Sequence, residues 1–139
     1  MMQKVPARPI QSRVIVGLVG CAVGISHLAI SSRYHGPLRA FVTGYLIDIL
    51  LPFALFLLLG LFPYALLRQV MVRALPVFAI GALAETLQGF GIPLAGSTFD
   101  PLDYVAYAVG VTAGIVFEAL VLYRKGRIKP SPRADLPGV

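Results

Sequence analysis

The sequence predicts an all-α integral membrane four-helix bundle with N and C termini cytoplasmic. Three observations carry this. First, 58% of the 139 residues are hydrophobic and only 13% are charged, whereas a soluble domain carries about a quarter charged residues and at most about half apolar ones. Mean hydropathy is +0.83, and a chain this short has too little interior to hide so much apolar surface. Second, the apolar residues fall into four runs, each near the roughly 20 residues that cross a bilayer as a helix. Third, the basic residues lie between those runs and in the tails. That placement, rather than a patch on one face, makes the net charge of +6 a matter of orientation and excludes nucleic acid as a partner. A lone cysteine, Cys21, excludes an internal disulfide and a cysteine zinc cage.

The spans follow in order. Span one covers 14–30 and carries no formal charge. Leu18 to Cys21 has the look of a lipobox and Ala29 to Ser31 of a cleavage site, but the apolar run continues past the cysteine. The favoured reading is an uncleaved first span with Cys21 buried. Span two, 45–62, has Asp48 near its start and Pro52 inside, where the missing amide is expected to kink it. Span three, 74–90, begins with Pro76 in its first turn, where a lost N–H costs little, and ends with Glu85 and Gln88. Span four, 102–123, starts at Asp103 and has Glu118 toward its end. Residues 1–125 make one domain. Residues 126–139, with three prolines and alternating charge, read as a disordered cytoplasmic tail.

The loops fix the orientation. Ten of the twelve basic residues lie in the N-terminal tail, the loop between spans two and three, and the C-terminal tail; Arg33 and Arg39 alone are on the other side. Basic residues concentrate in the cytoplasm, and an odd number of spans would divide the two basic tails. The expected location is the cell membrane, multi-pass, in a bacterial inner membrane.

Helices in lipid associate through close packing of small residues. Gly20 and Gly24 lie on one face of span one with His27; Gly81 shares a face with Glu85 and Gln88; Ala106, Gly110 and Gly114 form a stripe that extends to Glu118. These small residues are expected to face inward. Sorted by depth, Asp48, Glu85, Asp100 and Asp103 lie in the outer third with Gln88 and His27, beside a loop holding Arg33, His35 and Arg39. Ionisable groups in a membrane face an interior or a water-filled cavity, so an outward-facing polar pocket is expected. Several members also have plain structural readings. Asp100, before Pro101, reads as a turn residue; Asp103 as a complement to a helix dipole; Asp48 as a solvated interfacial group; His27 as a packing residue; Glu118 as the partner of Arg68, Arg73 or Arg124.

Glu85-Thr86-Leu87-Gln88, then Phe99-Asp100-Pro101-Leu102-Asp103, then Gly110-x-x-x-Gly114 together resemble the VanZ-like family of small polytopic membrane proteins. The resemblance covers Glu85 to Gly114. That family has an arginine in the loop before the aspartate, absent from Gly89 to Phe99 here, and an asparagine where this chain has Tyr107. Arg33 or Arg39 would then supply the guanidinium from the other outer loop. The named member is associated with low-level teicoplanin resistance, so the resemblance implies an effect at the outer envelope rather than a defined reaction.

The ligand-binding candidates are therefore Glu85, Gln88, Asp103, Asp48, Arg33 and Arg39. The expected ligand is an envelope component, a lipid headgroup or a cell-wall precursor. The bilayer itself is the main partner, and homo-oligomers are compatible with the helix faces. No motif calls for a metal or cofactor: there is no HExxH, phosphate loop or nucleophile elbow. Two alternatives stand beside this reading. One is a membrane-embedded hydrolase or transferase using paired carboxylates; the other is a small transporter subunit, for which the acid-free middle of every span is a poor proton path.

Overall fold

The structure, a computed structural model, describes residues 7–92 and 99–122. The C-terminal tail expected to be disordered lies outside the described residues. Five α-helices follow one another: α1 (Ile10–Arg33), a short α2 (Arg39–Gly44), α3 (Leu46–Leu59), α4 (Val70–Gly89) and α5 (Leu102–Phe117). A 3-10 turn, Leu66–Arg68, precedes α4, and α5 continues into a π-helical turn, Glu118–Leu122. No strand occurs among the described residues. Four stretches are long and apolar enough to cross a membrane: Ile10–Ile30, Phe41–Leu59, Val70–Gly89 and Leu102–Leu122. At 1.5 Å rise per residue, about 20 residues reach across the roughly 30 Å hydrocarbon layer.

The boundaries correct the sequence expectation at three places. The first span begins at Ile10, four residues before the expected start. The second span begins at Phe41, because α2 and α3 are separated only by Tyr45 and the Tyr45 amide still bonds back to Phe41 O. The third begins at Val70, four residues before the expected start, so Pro76 lies inside α4 rather than in its first turn. Lacking an N–H, it leaves the Val72 carbonyl without its intrahelical donor. The helix starts early because Arg73, a loop charge in the sequence reading, is fully buried.

The core gathers Val16, Phe56, Leu57, Val77, Val111 and Leu122. Leucine, isoleucine and valine side chains such as Leu18, Ile25, Leu75, Leu83 and Val105 point outward, as they do where lipid takes the place of water. The closest pairing is α3 with α5; α1 lies on α3, and α4 on α5 and α3. Glycines set the tight pairing. A Cβ on Gly110 would stand 2.2 Å from the Ile49 carbonyl oxygen and 2.9 Å from Pro52, and one on Gly114 would stand 2.8 Å from the Phe56 ring. Gly81 leaves room for the Tyr107 ring, 2.8 Å from where its Cβ would be, and Ala106 is buried. These four behave as expected.

Gly20 and Gly24 do not. A Cβ on Gly20 would make only ordinary contact with Leu58, at 3.7 Å, and one on Gly24 would meet nothing within 4 Å. The same spacing that closes α5 onto α3 leaves α1 standing off from it. Cys21, on the same stretch of α1, is exposed rather than buried.

The start of α1 and the end of the π-helical turn meet. Glu118 receives Arg8 on one carboxylate oxygen and Arg73 on the other, the latter at 2.6 Å. The Arg73 guanidinium lies 4.3 Å from the centre of the Phe56 ring and donates to the Phe56 carbonyl at 3.4 Å. One carboxylate thus ties residues of α3, α4, the π-helical turn and the approach to α1. Sequence reading had Arg73 among the partners of Glu118 and did not have Arg8. Gly60 is required here, since a Cβ would stand 2.4 Å from Arg73 Nη1.

Candidate functional site

At the opposite end of the bundle the helices part around a polar chamber of about 640 Å³. Its polar lining comes from every span: His27 from α1, Thr43 from α2, Tyr45 and Asp48 from the start of the second span, Glu85 and Gln88 from α4, and Asp103 and Tyr107 from α5, with Asp100 just before it. The i, i+4, i+7 spacing that placed Gly81, Glu85 and Gln88 on one face of α4 holds, and all three line the chamber. Apolar side chains, among them Leu51, Leu55 and Ile80, make the rest of the wall.

Four of the expected site residues are therefore brought together: Asp48, Glu85, Gln88 and Asp103. Arg39 is not among them. Arg39 is exposed at the start of α2 and does not line the chamber, because the chain turns outward through the left-handed Leu38 before α2 begins. The side chain of Arg33 lies outside the described ones. Among the described residues no arginine or lysine lines the chamber, so the guanidinium that the family resemblance asks for is not supplied from the first loop by Arg39.

The carboxylates do different work. Glu85 is 1% exposed and accepts the Asp100 amide at 2.5 Å. It pins the segment entering α5 to the end of α4. Asp100 is a turn residue, as its place before Pro101 suggests: Oδ1 accepts the Leu102 amide at 2.9 Å and Oδ2 accepts the Tyr45 hydroxyl at 2.7 Å. Asp48 and Asp103, both half-buried, present carboxyls to the chamber from the two helices on either side. Among the described residues no three His, Cys, Asp or Glu side chains are grouped as a metal ion would require.

Tyr45 and Tyr107 were not singled out as site residues from the sequence. Tyr107 stands one turn beyond Asp103 on the same face of α5, a spacing that could have flagged it. Tyr45 carries no such signal; only its hydroxyl on Asp100 reveals its part. On the outer flank, Thr86 and Tyr104 share a hydrogen bond at 2.8 Å that joins α4 to α5.

The Tyr45 hydroxyl, and then the Leu102 amide, stabilise the ionised Asp100 carboxyl and hold it below the usual carboxylate range. A depressed folded-state pKa adds stability at pH values above the unfolded one, and that stability is lost as pH falls through the folded value. Acidifying the detergent-solubilised protein below about pH 4, the ordinary aspartate value, is thus expected to lower its melting temperature. Asp100→Asn should flatten that decline, because the amide oxygen still accepts one donor without titrating. Parallel acid profiles of the two proteins would rule out the Tyr45 contact as the cause.

A second hollow, about 220 Å³, lies between α1 and α3 and is lined by Gly20, Val23, Gly24, Ala54 and Leu58 together with residues shared with the chamber. A groove of about 690 Å³ runs along the outward face of α5. It is apolar apart from Thr112, whose hydroxyl is already donated to the Ala108 carbonyl, and offers no group for chemistry. The chamber is the candidate site.

No protein-family model, curated protein or solved structure matches this chain.

Proposed function

We propose that this protein is a VanZ-like multi-pass membrane protein whose polar chamber opens to the outside of a bacterial inner membrane and receives an envelope component. The supporting observation is that Asp48, Glu85, Gln88 and Asp103, from three spans, line one cavity to which no arginine or lysine contributes among the described residues. The distribution of basic residues sets the orientation, with both termini in the cytoplasm. The Glu118 cluster then marks the inner end and the chamber the outer one.

The lining selects the charge of the ligand. A bare phosphate or pyrophosphate would meet carboxylates with no arginine or lysine among the described residues to offset them. An ammonium group would meet two half-buried carboxyls, and hydrogen bonds that involve a charged partner are worth about 1.5–3 kcal/mol each. The chamber therefore suits the amine-bearing part of a lipid headgroup or a cell-wall precursor. Gln88 and the Tyr107 hydroxyl add neutral donors and acceptors for the rest of the headgroup.

Titration of the purified protein in nanodiscs with glycerophosphoethanolamine, against glycerophosphoglycerol, tests this. The ethanolamine compound should bind about tenfold more tightly, the worth of one charged hydrogen bond. The preference should vanish in the Asp48→Asn, Asp103→Asn double variant. Equal binding of both compounds, or an unaffected double variant, would sink the reading.

A further inference from the structure

The hollow between α1 and α3 adjoins the chamber: His27, Ile47, Leu51 and Leu55 belong to the walls of both. The chamber carries the carboxylates and the hollow carries none. Along the bundle the hollow extends from the chamber toward the middle of the span, past Gly24 and Ala54 to Gly20 and Leu58. It faces the bilayer, since Gly24, His27, Leu51 and Leu58 are exposed.

The hollow is built into α1 by its glycines. On α5 the same four-residue glycine spacing brings two helices so close that a methyl group would strike a carbonyl oxygen. On α1 it leaves empty space beside Gly24. A side chain at either α1 position would fill that space, so these glycines keep a slot open instead of closing a contact.

From this we infer that the occupant is a whole membrane lipid with an ammonium-ended headgroup, the headgroup in the chamber and one acyl chain in the slot between α1 and α3. The inference rests on the chamber reading above and extends it from a headgroup to an amphiphile that enters sideways from the bilayer. Charge complementarity chooses the headgroup: carboxylates line the polar part, and among the described residues no arginine or lysine joins them. Depth chooses the chain, because a lipid of the outer leaflet has its head at the level of Asp48 and Asp103 and its tail at the level of Gly20 and Leu58. Lipid tails are as apolar as leucine, so the slot gives little free energy for association. It supplies shape, and the carboxylates supply the preference.

The test uses the full chain in nanodiscs doped with phosphatidylethanolamine carrying a photoreactive diazirine on one acyl chain, with phosphatidylglycerol bearing the same chain as the comparison. Cross-linked residues are mapped by mass spectrometry. The ethanolamine lipid should label the slot, around Gly24, Ala54 and Leu58, about tenfold more than the glycerol lipid, one charged hydrogen bond's worth. Gly24→Leu, which places a side chain in open space, should abolish slot labelling while glycerophosphoethanolamine still binds the chamber as in the wild type. Leu58→Trp, which fills the slot from the other wall, should do the same. Slot labelling that is equal for both lipids, or that survives both filling variants, overturns the inference and leaves the chamber reading standing if the soluble headgroup binds. Failure of the soluble headgroup to bind overturns both.

Discussion

Glu118→Gln is expected to destabilise the protein by about 3–5 kcal/mol, the cost of removing one partner from a buried ion pair. The substitution keeps the shape of the side chain and removes only its charge. Arg73, fully buried, and Arg8, nearly so, would then keep their charges without the carboxylate that both contact. Burial decides the size of the effect, since an exposed pair of the same kind is worth about 0–1 kcal/mol. The measurement is reversible unfolding in mixed micelles. A triple variant, Arg8→Met, Arg73→Met and Glu118→Leu, should be closer to the wild type than Glu118→Gln alone, because removing the whole charged set leaves no ion stranded. A triple variant worse than the single one would mean that the charges stabilise beyond balancing one another.

The second large effect concerns Gly110. Within a helix, replacing glycine by alanine ordinarily gains about 1 kcal/mol. At Gly110 the new methyl group would stand 2.2 Å from the Ile49 carbonyl oxygen, and that atom is backbone, held inside α3. Overpacking of this kind costs about 1–3 kcal/mol or more, and it separates the tightest helix pair in the molecule. Gly110→Ala is therefore expected to lose about 2 kcal/mol net, the clash outweighing the propensity. Gly24→Ala, where the methyl group meets nothing within 4 Å, should be neutral or stabilising. Melting temperatures of the two variants side by side decide it. Equal shifts would show that helix propensity, not contact, governs both sites.

Those two glycines also show what the sequence carries and what it does not. Hydropathy located four spans because each must be apolar over about 20 residues whatever it packs against. The faces of α4 and α5 were legible because polar and small residues recur at helical spacing, which brought Asp48, Glu85, Gln88 and Asp103 into one chamber. What stands opposite a face is not written in its spacing. Gly24 and Gly110 sit in similar motifs, yet one faces empty space and the other a carbonyl. Arg8 and Arg73 had the positions of loop and tail charges, and only a carboxylate on a distant span makes them interior residues. The early start of α4 follows from the same omission, since a helix turn containing a buried arginine reads as a loop until its partner is known. Tyr45 gave no signal, because its role depends on an aspartate 55 residues away.

The cluster around Glu118 has a consequence for biogenesis. Arg8 and Glu118 are separated by 110 positions in the chain. Arg8 and Arg73 are therefore synthesised, and their spans delivered to the bilayer, before the carboxylate that neutralises them exists, since chains are made from the N-terminus onward. Until the last span arrives, the first three have two guanidiniums that must stay in the aqueous headgroup layer. Arrival of Glu118 lets them withdraw together, so the last span is the one that locks this end of the bundle. A ribosome-stalled or truncated chain ending before Glu118 would carry exposed arginines at that end, a feature by which an unfinished copy differs from a finished one.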